Sequence, residues 1–178
     1  MNKLFLPVLL LLAFSCKSPE ARKPISVKTG SFINESVQRN INLYNQEKEQ
    51  IQAIISEFPN EEYISSENGF WYTYINKVDN DSLETPDFGD IINFNYDVSR
   101  LDGSTIYSKE NLKTRNYAMD QEELFKGLRT GLKLMKATET IKFIFPSQMA
   151  YGYYGDDNKI GRNLPIVCEV TINTIIKK

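Results

Sequence analysis

The residues best equipped for chemistry are aromatic. Ala150-Tyr151-Gly152-Tyr153-Tyr154-Gly155 follows Pro146 and a strand-like run from Thr140 to Phe145. Gly152 and Gly155 mark a loop at a sheet edge, which sets Tyr151 apart from the aromatics of the strand core. Other catalytic equipment is missing. The 178 residues contain no histidine, which removes Ser-His-Asp and Cys-His nucleophile systems, His-ligated metals and imidazole bases. There is no glycine-rich phosphate loop. Asp79-Asn80-Asp81-Ser82-Leu83-Glu84 opens like a calcium loop, but Leu83 stands where a ligand is needed and the central glycine is missing. Asp156-Asp157 has the composition of a solvated turn, and no spacing suggests a glycosidase carboxylate pair. Cys168 lies in the strand pattern Ile166-Val167-Cys168-Glu169-Val170 and reads as a small buried hydrophobe. The net charge of −2 argues against a nucleic-acid partner.

Positioning such a loop requires a sheet, and the sequence supplies one. With 41% apolar and 25% charged residues the chain is an ordinary globular one. Gly69 to Ile75 is aromatic and β-branched. Ile92, Phe94, Tyr96 and Val98 alternate with polar residues, as in a strand with one buried face. Leu101-Asp102-Gly103-Ser104 is a hairpin turn. Asp120-Gln121-Glu122-Glu123 has the layout of a capping box and predicts a short helix carrying Leu124, Phe125, Leu128 and Leu132, with Gly131 near its end. Thr140–Phe145 and Ile166–Ile176 complete the strands. The order predicts an α+β fold, an antiparallel sheet wrapped on one short helix.

A long helix precedes it. Val37, Ile41, Tyr44, Ile51, Ile55 and Phe58 form a helical stripe over 34–58, with Lys48 in the gap, Asn34 as N-cap and Pro59 as stop. The stripe either docks on the domain or pairs with a partner or second copy as a dimer seam. Upstream, Lys3 and the apolar run Leu4 to Phe14 have the pattern of a signal peptide, too short for the ~20 residues of a membrane span. The run ends in Ala13-Phe14-Ser15-Cys16, similar to a bacterial lipobox, which makes Cys16 the lipidation site. A plain secretory signal is the competing reading. Residues 17–30 carry four basic residues and two prolines and read as a tether. The expected organisation is a signal segment 1–15, a lipidated tether 16–30, a helix 31–60 and a domain 69–178.

Gly89-Asp90 before a strand, Tyr96 on it, Asp102-Gly103, Leu124-Phe125-Lys126-Gly127-Leu128, Ala150-Tyr151-Gly152 and the final hydrophobic strand follow one another in order. From about Gly69 onward this succession resembles the FKBP family of prolyl isomerases. With lipobox and tether, the whole resembles the gliding-motility-associated lipoprotein FKBPs of the Bacteroidota. The resemblance implies roles residue by residue. Tyr96, Phe125 and Tyr151 would be catalytic, Phe125 through its backbone N–H and Tyr151 through its hydroxyl. Ile106, Tyr107, Leu124, Leu128, Ile160 and Cys168 would bind substrate. Three of these depart from the family pattern: Tyr107 stands for an aspartate, Leu128 for the tryptophan that floors the pocket, and Cys168 for a phenylalanine. Restoring the floor through Leu128→Trp is expected to raise activity.

The implied function is peptidyl-prolyl cis-trans isomerisation that assists folding of exported or cell-envelope proteins, with a link to gliding motility. No cofactor or metal is needed. The implied partners are proline-containing polypeptides and, through the lipid anchor, a membrane, with the protein facing the periplasm. The second reading is a catalytically weak or inactive FKBP-fold chaperone or assembly module. The anchor is directly testable: labelled fatty acid should enter the wild-type protein and not Cys16→Ser, and equal labelling of both would refute lipidation.

Overall fold

The computed structural model describes residues 29–80 and 82–178. The expected signal segment, Cys16 and the tether up to residue 28 lie outside them. The first helix, α1, spans Thr29–Glu57. It runs straight through Asn34, which therefore is not its cap. It stops where the sequence demands, because Pro59 cannot continue it; the Phe58 N–H turns back to the Ile55 carbonyl at 3.1 Å. Among the described residues no helix is long and apolar enough to cross a membrane.

The chain divides into two units between Val37 and Gln38, so most of α1 belongs to the larger one. Within it, the C-terminal half of α1 docks through Ile51, which is completely buried with Trp71 and Ile144. Burying one isoleucine is worth ~1.5–3 kcal/mol. The gap in the stripe is filled by Glu47, not Lys48: Glu47 is buried and Lys48 exposed. Ile41 remains exposed, so within this unit the stripe docks only in part.

Among the described residues eight strands form one antiparallel sheet: β1 (Ile64–Ser65), β2 (Trp71–Asn76), β3 (Ile91–Tyr96), β4 (Val98–Ser99), β5 (Thr105–Tyr107), β6 (Arg115–Ala118), β7 (Thr140–Phe145) and β8 (Ile166–Ile176). The order is β1-β2-β7-β8-β3-β6, with β4 bridging β8 and β5. Register sorts the residues onto two faces. Trp71 faces Ile144, which faces Val167, and this row lies under α1. The next row, Tyr72, Phe143 and Cys168, points the other way into the main core. The period-two side-chain alternation of a strand makes this separation automatic. β7 and β8 occupy the predicted residues. β6 and the single-turn helix α2 (Lys109–Leu112) were not predicted; four residues are too few for a period to show.

The core face is covered by α3, Lys126–Leu132. It begins later than the capping-box pattern predicts. Asp120 has φ +59° and sits in the turn after β6. Its carboxylate instead pairs with Lys133 at 2.6 Å and Arg129 at 3.7 Å, at the C-terminal end of α3. Phe125 is the actual N-cap, in extended conformation and without a side-chain cap. α3 lies very close to the sheet because Gly127 and Gly131 face it. A Cβ on Gly127 would come within 2.5 Å of Phe145 Cδ1 and 2.7 Å of the Met149 carbonyl; on Gly131, within 2.9 Å of Phe143 Cε1.

This contact sets a prediction. Gly127→Ala gains helix propensity of about 1 kcal/mol. The methyl group meets a ring edge and a backbone oxygen, neither of which can swing away, and overpacking costs about 1–3 kcal/mol or more. Because contacts of 2.5 and 2.7 Å put the cost toward the upper end of that range, net destabilisation of up to about 2 kcal/mol is expected in denaturant titration, whereas Gly161→Ala, where an added Cβ meets nothing within 4 Å, should stay near wild type.

Candidate functional site

Tyr96 ends β3, with its ring centroid 5.5 Å from that of Phe94. Ile106 lies in the middle of β5. Phe125 heads α3, its ring set edge-on to Phe145 at 5.5 Å and tilted against Tyr151 at 5.1 Å. Ile160 arrives from the loop between the 3-10 turn Ser147–Met149 and β8. The fold thus brings the sequence-predicted residues into a single apolar cluster. They differ in access. Tyr107, Leu124, Phe125 and Tyr151 are half-buried and present surface, while Tyr96, Ile106 and Ile160 are nearly closed off. Leu128 and Cys168 have 0% exposure, so they back the site from inside the core and offer no surface to a ligand. That alters the expectation for Leu128→Trp: an indole there would displace packed neighbours at a cost of about 1–3 kcal/mol rather than widen an open floor.

Two donors of this cluster have no partner among the described residues. A helix leaves its first N–H groups unpaired, and the Phe125 N–H has no acceptor among the described residues, although the Phe125 carbonyl accepts from Arg129 at 3.1 Å. The Tyr151 hydroxyl has no partner there either. Since no buried side-chain polar atom lacks a partner, that hydroxyl reaches the surface. Burial pushes the Tyr151 phenol far above its ordinary pKa, with Tyr96 adding to the effect. It therefore stays protonated and able to donate. Tyr96 is shifted upward by burial too, with the Arg115 guanidinium pulling the other way. Burial keeps the Cys168 thiol protonated, which removes it as a nucleophile.

Asp156 organises the loop that carries Ile160. Its carboxylate accepts from the Tyr107 hydroxyl, from the Ile160 N–H at 2.7 Å and from the Asn158 N–H at 3.0 Å. The Lys159 ammonium lies 5.1 Å from the centre of the Tyr107 ring. Burial works to raise the Asp156 pKa, but the Tyr107 hydroxyl and the two backbone donors outweigh it and hold it below the ordinary value. Asp156 is thus no solvated turn residue. A carboxylate is present beside position 107 after all, supplied by the loop and not by β5. Among the described residues no group of acidic or cysteine side chains could hold a metal ion. A separate groove of about 730 Å³ lies on the other face of the sheet, between α1 and the β4–β5 hairpin, lined by Ile54, Phe58, Tyr63, Leu101 and Ile144. It contains none of the residues above.

An antiparallel sheet curled on one short helix, with unpaired donors at the helix head and on a tyrosine loop, defines an FKBP-like domain. Comparison with known proteins agrees. The chain belongs to the FKBP-type peptidyl-prolyl cis-trans isomerase family, whose model matches residues 83–173. Over 89 residues it is 28% identical to the peptidyl-prolyl cis-trans isomerase FKBP9 of Homo sapiens, covering 49% of this chain but only 16% of that protein. Among solved structures, FkpA from Escherichia coli superposes with a TM-score of 0.61 at 20% identity, over 99% of this chain and 83% of that one. A peptidyl-prolyl cis-trans isomerase from Pseudomonas syringae gives 0.59 at 18% identity, over 73% and 92%. At such identities the structural likeness speaks for the fold.

The Tyr107–Asp156 contact makes a pH prediction. A carboxyl whose folded pKa is depressed contributes stability that is complete above its unfolded value of ~3.9 and is lost as pH falls through the folded one. Loop order around Ile160 should persist at neutral pH and disappear in that acid window, as seen by NMR. Tyr107→Phe should move the Asp156 titration back up toward the ordinary value; an unmoved titration would mean the contact is absent in solution.

Proposed function

We propose that this protein is a peptidyl-prolyl cis-trans isomerase acting on proline-containing segments of polypeptide clients. The observation that carries this reading is the juxtaposition of two unpaired donors, the Phe125 N–H and the Tyr151 hydroxyl, over one apolar surface. The X-Pro barrier is ~18–20 kcal/mol because amide resonance must be broken. An apolar surface formed by the rings of Phe125 and Tyr151 desolvates the imide and favours its less polar, twisted state. The two donors hold the carbonyls that flank the proline and so favour a bent, twisted peptide over the planar one. The reaction transfers no atoms, so it requires no histidine, metal or cofactor. Each 1.36 kcal/mol of preference for the twisted state is worth tenfold in rate.

A second reading draws on the departures at Tyr107, Leu128 and Cys168. Aromatic side chains stand at the last two positions in the family pattern, and here neither residue is aromatic and both are fully buried. The accessible aromatic surface is reduced, which favours a weakly active or inactive FKBP-fold chaperone or assembly module. Under either reading, the Ser15-Cys16 junction supports anchoring of the protein to a membrane of the cell envelope, facing the periplasm, with exported proteins as clients. The likeness of the whole organisation to gliding-motility lipoproteins supports a role in that machinery. The exposed Val37 and Ile41 support α1 as a surface for a partner or second copy.

Isomerisation of short Xaa-Pro peptides, followed by a protease-coupled assay, separates the two readings. The wild type should accelerate it. Tyr151→Phe keeps the ring and removes one donor, worth about 0.5–1.5 kcal/mol, so kcat/KM should fall roughly threefold to tenfold. Client binding without acceleration would establish the binding-module reading instead.

A further inference from the structure

α1 reaches the site through one buried carboxylate. Glu47 is 3% exposed and Ser147, one hundred residues further on, is 0% exposed. The Ser147 N–H donates to Glu47 Oε2 at 2.8 Å and the Ser147 hydroxyl to Oε1 at 2.6 Å. No lysine or arginine pairs with this carboxylate among the described residues, so these two bonds are what keep it buried. Ser147 in turn caps the loop that carries the candidate catalytic tyrosine. Its carbonyl accepts from the Ala150 N–H at 3.0 Å and the Gly152 N–H at 2.8 Å, on either side of Tyr151. Two turns of α1 away, the Asn40 carbonyl accepts from the Gln148 side chain at 3.4 Å.

We infer that Glu47 is a positioning residue for Tyr151: the N-terminal helix sets the height and direction of the tyrosine loop through Glu47 and Ser147. For its effect on turnover this rests on the isomerase reading above; for its effect on the loop it does not. Glu47 accepts from both donors of Ser147, so the residue whose carbonyl receives Ala150 and Gly152 is itself fixed to α1. Tyr151 is thereby kept with its ring against Phe125 and its hydroxyl free. The helix is more than a back cover: it is part of the mechanism that aims the donor.

Glu47→Gln keeps the shape of the side chain and replaces one of the two acceptors by a donor. In the full chain, amide hydrogen exchange at Ala150 and Gly152 should accelerate at least tenfold. The fluorescence of Trp71, the only tryptophan, which is buried with Ile51 under α1, should stay unchanged and show that the helix remains docked. kcat/KM should fall roughly threefold to tenfold, matching the loss of about one hydrogen bond. In a Tyr151→Phe background the same Glu47→Gln change should have no further effect on kcat/KM, since a residue acting through the hydroxyl has nothing left to aim. Unaltered exchange at Ala150 and Gly152 would overturn the inference, and so would a full additive loss in the Tyr151→Phe background. If the wild type proves inactive, the isomerase reading fails while the exchange measurement still decides the role of Glu47. Should Glu47→Gln not fold, Ser147→Ala removes only the hydroxyl donor and is held to the same exchange criterion.

Discussion

The distance between α3 and the sheet is the constraint on which the rest of the structure depends. Two glycines one turn apart, Gly127 and Gly131, let the helix backbone settle onto Phe145 and Phe143 with no room for even a methyl group between them. The helix is only seven residues long, too short to be stable by itself, so it exists because this contact buries one side of it. Its head then falls beside the loop that follows β7. That places the unpaired Phe125 N–H and the Phe125 ring next to Tyr151. Interiors packed this tightly transmit small displacements, so the spacing of a helix and a sheet becomes the spacing of two donors.

Several loop crossings in this protein are held by buried carboxylates that accept backbone N–H groups. Glu47 takes the Ser147 N–H. Glu139 takes those of Val78 and Lys136. Asp90 takes those of Asp87 and Lys178, with Lys177 paired to it at 3.1 Å. All three acids are nearly inaccessible. A carboxylate supplies up to four lone-pair sites and satisfies donors that no strand can reach, which suits long connections between short strands. Asp156 does the same in the loop beside Tyr107. Such bonds are stronger than neutral ones, and each fixes a chain crossing without adding volume to the core.

The isomerisation proposed here suits a chain without histidine. Twisting an imide requires no proton transfer, only a surface that excludes water and donors in fixed directions. Both are properties of packing and of backbone termini. Side-chain identity therefore matters less here than placement, and substitution of Leu128 or Cys168 leaves the Phe125 N–H untouched because a backbone donor belongs to the helix, not to a residue type.

The sequence by itself determined what depends on near neighbours. The alternation in β3, the extents of β7 and β8, the hairpin at Asp102-Gly103 and the stop at Pro59 all follow from local sterics and period, and the ordered motifs from Gly89-Asp90 to Ala150-Tyr151-Gly152 point to the family. Only the tertiary structure decided where polar groups are buried and which site residues keep a surface. Glu47 looks like any solvent-facing acid in a helix, and by spacing alone Lys48 falls in the gap of the stripe. What buries Glu47 is a serine a hundred positions away, and no local pattern carries that information. The Asp120 motif misleads for the same reason: its carboxylate serves the last turn of α3 across space, and not the first turn in sequence. Backbone propensity acts over a few residues, whereas the cost of leaving a buried charge unsatisfied is settled only when the whole chain has closed around it.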